Sequence, residues 1–324
     1  MILQAPKTKQ KITSDKLGRY KEKQIQGLRD IWESAVKHKW LYLFLLPYAL
    51  LFFVFVVSPV VVSIFYSFTY FNVLEPARFI GFENYINLFL SDDVFLIAMR
   101  NTFILAAITG PIGYLASFLF AWFINELPRY IRAFATLVFY APTISGSVFL
   151  IWQLIFSGDA YGFANAYLMQ WGILNSPNLW LTDPDLMMPV IIIVVLWMSL
   201  GAGFLAFIAG LSTIDPEQYE AGLVDGIKNR WQELWYITLP NMKGTLMFGA
   251  VLAITGSFAV GDVTAQLAGF PSTDYAVHTV VNHLVDYGSI RFEMGYASAI
   301  ATILFLTMIY ANKGVQAMLA RVGR

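Results

Sequence analysis

Six stretches of this chain carry no charged residue and are long enough to cross a bilayer as helices. They run from Trp40 to about Phe68, Asn101 to Asn125, Ala133 to Gly158, Leu186 to Ile214, Gly244 to Gly261 and Met294 to Asn312. A helix crossing the hydrocarbon core needs about 20 predominantly apolar residues. The fifth window can run on past Asp262. Hydrophobic residues make up 58% of the 324 and charged residues only 13%. A soluble domain carries about 25% charged residues. The expected fold is an all-α membrane protein with six transmembrane helices. Pro47, Pro59, Pro111 and Pro142 lie inside the windows. Helix breaks at such depth are tolerated where protein or a water-filled cavity satisfies the freed backbone groups. The prolines therefore predict breaks and a bundle that lines a pathway.

The cations set the orientation, because cytoplasmic loops collect Lys and Arg. Ten lie in the first 39 residues. Arg129 and Arg132 follow the second window, Lys228, Arg230 and Lys243 the fourth, and Lys313, Arg321 and Arg324 the sixth; together these are eighteen of the 21. Both termini are thus expected in the cytoplasm. Only Arg78, Arg100 and Arg291 fall outside, among acidic loops that hold Glu75, Glu83, Asp92, Asp93, Asp159, Asp183, Asp185, Asp274 and Asp286. Residues 1-39 read as a basic cytoplasmic segment against anionic lipid headgroups. Within it Leu28 to Val36 is expected to form a short interfacial helix. Residues 40-318 read as the transmembrane domain and 319-324 as a cytoplasmic tail.

Several functions are excluded. A net charge of zero gives no bulk attraction to nucleic acid, and the absence of cysteine removes disulfides, thiol catalysis and thiolate metal sites. The three histidines are too scattered for a metal site. His278 and His283, with Asp274 and Asp286, read as ordinary polarity of an outer loop. No phosphate-binding G-x-x-x-x-G-K-[ST], no G-x-S-x-G and no H-E-x-x-H occurs, so neither a catalytic set nor a cofactor is expected. The polar N-terminal 39 residues show no cleaved signal peptide.

The loop from Ser212 to Lys243 stands apart. By the charge rule it faces the cytoplasm. Asp215 suits an N-cap, Pro216 the first helical position, and Gln218 the third position of a capping box. Gly226 suits a left-handed helix end. A helix of about ten residues does not persist alone in water, so it needs a docking surface. Tyr219 and Leu223 share a face with Glu220 beside them. A second helical run, NRWQELWYI, leads to Leu239-Pro240, and Trp231 and Trp235 can seat it at the headgroup boundary.

These residues resemble the E-A-A, three residues, G, about nine residues, I-x-L-P loop of the transmembrane subunits of binding-protein-dependent ABC importers. Glu220, Ala221, Gly222, Gly226, Ile237, Leu239 and Pro240 fit it. Two departures stand: Gly222 replaces an Ala, and the gap from Gly226 to Ile237 is ten residues, one more than the motif has, which an insertion near Ile227 to Asn229 would absorb. GFENYINLFLSDDVFLIAMRNTF from Gly81 and FSGDAYGFANAYL from Phe156 resemble the maltose-type permease group, which puts most of the chain from Trp40 onward within the resemblance. The resemblance implies a permease subunit, not an enzyme, of an importer for a sugar or oligosaccharide in a bacterial cytoplasmic (inner) membrane. It implies a homologous second permease subunit, two ATP-binding subunits and an extracytoplasmic solute-binding protein as partners. The short helix is then the coupling helix, with Tyr219, Glu220, Ala221, Gly222, Leu223, Asp225, Gly226 and Pro240 at the ATPase contact and Glu220 facing basic groups there.

Solute sites in transporters lie near the bilayer midplane. Counting about 1.5 Å per residue from the loop ends places Thr143, Ser145 and Ser147, Trp197 to Ser199, and Thr255 to Phe258 at that depth. Asn101, Thr143, Ser145, Gln153, Trp197, Ser199, Ser257, Phe258 and Asp262 are the candidate solute-pathway residues. Hydroxyls and aromatic rings suit a neutral, hydroxyl-rich solute. DYGSIRFEMGYASAIAT resembles members that handle acidic, alginate-type oligosaccharides, yet no Lys or Arg lies at mid-depth. The bland alternative for each residue is helix–helix packing. Asp262 is either an intramembrane acid, functional by default, or the first residue of an outer loop. Two other classes stay open: an ion-coupled secondary transporter working through Asp262, and a membrane enzyme.

Overall fold

In a computed structural model of the chain the described residues are 37–145 and 148–322, with side chains described as far as Met318. The N-terminal basic segment, with the helix expected at Leu28 to Val36, and Ser147 lie outside the described residues. The chain divides into a unit ending at Val62 and a unit of Ser63–Arg324. Helix α1 is Lys39–Tyr66 and has no buried residue. It is apolar on every side, which suits a surrounding of lipid or protein rather than water.

In the second unit, β1 (Thr69–Tyr70) pairs antiparallel with β2 (Arg78–Phe79). The helices α2 (Glu83–Leu90), α3 (Asp93–Asn125), α4 (Arg129–Ile144), α5 (Val148–Ile155) and α6 (Phe163–Gln170) follow. After these come α7 (Pro184–Met198), α8 (Ala202–Leu211) and α9 (Pro216–Val224). Next are α10 (Arg230–Asn241), α11 (Lys243–Phe258), α12 (Asp262–Ala268), α13 (Val280–Val285) and α14 (Met294–Val322). Among the described residues four helical spans are long and apolar enough to cross a membrane, and up to six if each bent helix pair counts as one.

The third, fourth and fifth windows are not continuous rods. The third is α4 and α5, the fourth α7 and α8 with a break at Ser199 to Gly201, and the fifth α11 and α12 with a break at Ala259 to Gly261. So the fifth helix does not run past Asp262. Of the four prolines only Pro142 sits beside a break, in the last turn of α4. Helix α3 passes Pro111 unbroken, and α1 passes Pro47 and Pro59 with one wide turn at Phe53–Val57. Proline has no N–H to offer the carbonyl one turn back.

Helix α3 is the central post, against which α7, α8, α11 and α13 pack. Asp92 starts it by accepting from the Phe95 N–H at 2.9 Å. Along α3, Leu105 joins one apolar core with Met187, Ile191 and Val194, while Phe118 and Ala121 join a second with Phe204 and Phe207. The broken segments of the other helices lie between these cores.

The freed carbonyls at the breaks are met by side chains. Ser117 Oγ donates to Ser199 O at 2.9 Å, and Thr143 Oγ1 to Leu200 O at 3.4 Å. At the α11–α12 break, Thr279 Oγ1 donates to Val260 O at 2.7 Å and Asn282 Nδ2 to Gly261 O at 3.1 Å. Asn282 Oδ1 in turn accepts from Thr264 Oγ1 and the Thr279 N–H, at 2.8 and 3.0 Å. Each orphaned buried group costs about 1–3 kcal/mol. Replacing Asn282 with Leu leaves the buried Thr279 N–H without its acceptor and is expected to destabilise the protein by about 1–3 kcal/mol, read as a lowered midpoint of denaturation in detergent. An unchanged midpoint contradicts this role of the network.

Candidate functional site: a cavity between broken helices and a short capped helix

A cavity of about 680 Å³ opens where the three breaks meet. Helix α3 supplies Thr109, Gly113, Tyr114 and Ser117, a small-residue stripe at four-residue spacing with one aromatic beside it. Thr109 is the middle residue of the 33-residue α3, so the cavity sits halfway along the bundle's post. The breaks supply Ser145, Ser199, Gly201 and Ala259 to Gly261, and α11 supplies Gly249, Ala253, Gly256 and Ser257.

Of the nine residues expected along the pathway, Thr143, Ser145, Ser199, Ser257 and Asp262 line this cavity. Asp262 is exposed to it at the start of α12, beyond the end of α11. The other four do not. Asn101 is buried and donates to Tyr275 O and His278 O, both at 3.0 Å. Gln153 Nε2 donates to Gln266 O at 2.7 Å. Both amides, placed in apolar helices, grip the segment after α11 rather than face the cavity. Trp197 packs edge-on against Trp152, ring centroids 5.3 Å apart. Phe258 is buried edge-on to Phe103 at 5.8 Å and lines a separate apolar pocket. For these rings the packing alternative holds. The aromatic side chains that do line the cavity are Tyr114, Phe149 and Phe207. The spacing Thr109, Gly113, Ser117 was the available signal for them.

On the charged loop, α9 begins as expected at Asp215 and Pro216, but no capping box forms. Asp215 Oδ1 accepts from the Glu217 N–H at 3.0 Å. Gln218 turns away, its Oε1 accepting from Asn241 Nδ2 at 2.6 Å. The far end is a Schellman motif: the Gly226 N–H donates to Leu223 O and the Ile227 N–H to Gly222 O, at 3.3 and 2.9 Å. Gly226 has φ +94°, a region that disfavours any side chain. A Cβ on Gly222 would come within 2.6 Å of Ile237 Cδ1 and 3.0 Å of Ile227 Cδ1. Those two side chains thus fill the space an alanine methyl would take, which explains the first departure from the expected motif. For the second, a place for the extra residue is visible at Leu234–Thr238, a wide turn with one more residue than an α-turn, rather than at Ile227 to Asn229.

Tyr219 OH and Thr238 Oγ1 are 3.0 Å apart, so α9 rests on α10. Its outward residues Glu220, Leu223 and Val224 are exposed. Helix α10 meets α11 at 83°, with Trp231 and Trp235 exposed along it.

No protein-family model matches the chain. The probable ABC transporter permease protein YurN of Bacillus subtilis (strain 168) is 30% identical over 269 residues, which cover 82% of this chain and 90% of that protein. The chain belongs to the ABC transporter permease family. The permease is also 29% identical over 290 residues to the arabinooligosaccharides transport system permease protein AraP of the same organism, covering 88% of the one and 90% of the other. A crystal structure of a bacterial ABC transporter involved in the import of the acidic polysaccharide alginate has the same fold. There the TM-score is 0.72 at 24% identity, over 91% of this chain and 99% of that one.

The permease holds a second polar cluster that its sequence hid. His278 and His283 are not ordinary loop polarity; they are 3% and 2% exposed. His283 Nε2 lies 3.0 Å from Asp92 Oδ2, which also accepts from Tyr296 OH at 2.9 Å. Burial pushes the Asp92 carboxyl up, but the hydrogen bonds from His283 and the Phe95 N–H outweigh it and hold the group at about 2. His278 packs edge-on to His283. Burial, and after it the charge of His283, pushes His278 down to about 4. Among the described residues no group of three or more His, Cys, Asp or Glu could hold a metal ion.

Two outcomes are expected. A Gly226→Val change forces a side chain into the left-handed region, at about 1–3 kcal/mol. Amide exchange over residues 216–227 should then be faster, and less so with Gly226→Asn; protection equal to wild type in the Val variant contradicts the motif. His278 takes up a proton at about 4 when folded but near 6.5 when unfolded. The unfolded form therefore binds more protons between these values, and stability falls as pH drops from about 6.5 toward 4. Exchange in residues 272–290, corrected for intrinsic rates, should be faster at pH 5 than at pH 7.5, and His278→Phe should flatten the difference.

Proposed function

We propose that this permease is the transmembrane subunit of an ABC importer that moves a sugar or oligosaccharide into the cytoplasm, driven by ATP hydrolysis in partner subunits. The observation that carries it is α9: a short helix, capped at one end by Asp215 and closed at the other by Gly226, that presents exposed Glu220, Leu223 and Val224. In a member of this family such a helix has an obvious receiver. It is the coupling helix, and Tyr219, Glu220, Ala221, Gly222, Leu223, Asp225, Gly226 and Pro240 belong to the ATPase contact or to the frame that holds it. Tyr219 and Gly222 face inward, toward α10, as that frame.

The full assembly is this chain, a homologous second permease, two ATP-binding subunits and an extracytoplasmic solute-binding protein, in a bacterial cytoplasmic membrane. The chain crosses six times, with both termini in the cytoplasm. Residues 1-39 lie on lipid headgroups, 40-318 form the transmembrane domain with the coupling loop at 212-243, and 319-324 form the tail. AraP, by name an arabinooligosaccharide permease, supports a saccharide as solute. Thr143, Ser145, Ser199, Ser257 and Asp262 are the solute-facing residues. Family membership and the coupling loop favour this reading over an ion-coupled secondary transporter.

Reversing the charge at Glu220, as Glu220→Lys, should abolish co-purification of the ATPase subunits and reduce saccharide-dependent ATP hydrolysis at least tenfold, with the permease still inserted. Intact assembly and turnover in that variant rule the reading out.

A further inference from the structure

The cavity's chemistry narrows the solute. Six hydroxyls of its lining have their one proton directed to a backbone carbonyl. Thr109 donates to Leu105 O, Ser257 to Ile254 O and Ser199 to Leu196 O, at 2.7, 2.9 and 2.6 Å. Ser117 and Thr143 hold the α7–α8 break, as above, and Tyr114 OH donates to Leu246 O at 3.3 Å. A hydroxyl with its proton so placed offers a ligand lone pairs only. The donors of the wall are the side-chain amide of Gln266, the Ser145 hydroxyl and the free N–H groups that begin α8 at Ala202 and Gly203 and α12 at Asp262 and Val263. The lining holds no Lys, Arg or His among the described residues, and its formal charge is the carboxylate of Asp262.

We infer that this cavity takes a neutral, hydroxyl-rich saccharide and that Asp262 is the residue that turns carboxylated saccharides away. The inference rests on the importer reading above and deepens it. A sugar hydroxyl both donates and accepts, so it matches a wall that offers lone pairs from its hydroxyls together with N–H and hydroxyl donors. A carboxylate only accepts. It would meet lone pairs on the bonded hydroxyls and a like charge at Asp262, with no cation of the lining to offset it. Asp262 itself accepts charge-assisted hydrogen bonds from sugar hydroxyls, which are stronger than neutral ones. The alginate importer shares the fold, but this chain's cavity lacks the cations that an acidic polymer would call for.

The test compares trisaccharide uronates of several skeletons with their own methyl esters, which differ only in charge. The complex of this permease with its partner permease and ATPases is placed in nanodiscs without the binding protein, and bound saccharide is read by saturation-transfer NMR. The esters are expected to bind at least tenfold more tightly than the acids. In Asp262→Asn that preference should fall severalfold, and in Asp262→Glu it should persist. Acids that bind wild type as well as their esters overturn the inference, as does an Asp262→Asn preference equal to wild type. If no saccharide of either charge binds, while the complex assembles and hydrolyses ATP, the sugar reading itself fails and this inference with it.

Discussion

A carbonyl freed from a helix in the middle of a bundle must find a donor or water, and the rest of this structure follows from how that demand is met. Three helices stop and restart near mid-depth. Ser117, Thr143, Thr279 and Asn282 reach across from neighbouring elements to the exposed carbonyls of Ser199, Leu200, Val260 and Gly261. Non-helical backbone at membrane depth is stable only with such partners or beside a wet cavity. Here side chains supply the partners, and a cavity lies beside the breaks. The two apolar cores above and below keep the breaks in place, and the space between them is the cavity.

Helix α9 is joined to that space by a short path. Helix α9 is too small to hold its shape alone. It is held by the Schellman closure at Gly226, by Ile237 and Ile227 over Gly222, and by the Tyr219–Thr238 contact. These tie it to α10, which meets α11 at 83°. Helix α11 then contributes Gly249, Ala253 and Ser257 to the cavity wall. A displacement imposed on Glu220 and Leu223 thus has one packed route to the wall, with few soft joints.

Much of the helix layout was legible in the sequence, because long apolar windows act through hydrophobicity alone. The ends of α9 were legible because Asp, Pro and Gly carry local backbone preferences. What stayed hidden depends on tertiary partners. Asn101 and Gln153 read as pathway residues because an amide in an apolar helix is costly, yet the structure meets that cost with carbonyls of a segment more than 100 residues away. Trp197 and Phe258 lie on faces of their helices that pack against Trp152 and Phe103. His278 and His283 lay in a polar-looking loop, and nothing local indicated that Asp92 would fold over to meet His283. The breaks fell at Ser and Gly rather than at Pro111, because packing and available donors, not propensity, decided where backbone could be spared.

The central claim is that water reaches the meeting point of the broken helices. The chain has no cysteine, so single replacements report without background. Ala202→Cys and Ala253→Cys line the cavity, while Ile193 and Leu154 are exposed away from it. In the assembled complex, a membrane-impermeant thiol reagent should modify the first two and leave Ile193→Cys and Leu154→Cys unmodified, and the rates at the first two should change when the ATPases are trapped with nucleotide. Cysteines at 202 and 253 that stay inert in every nucleotide state would contradict a solute pathway through this cavity.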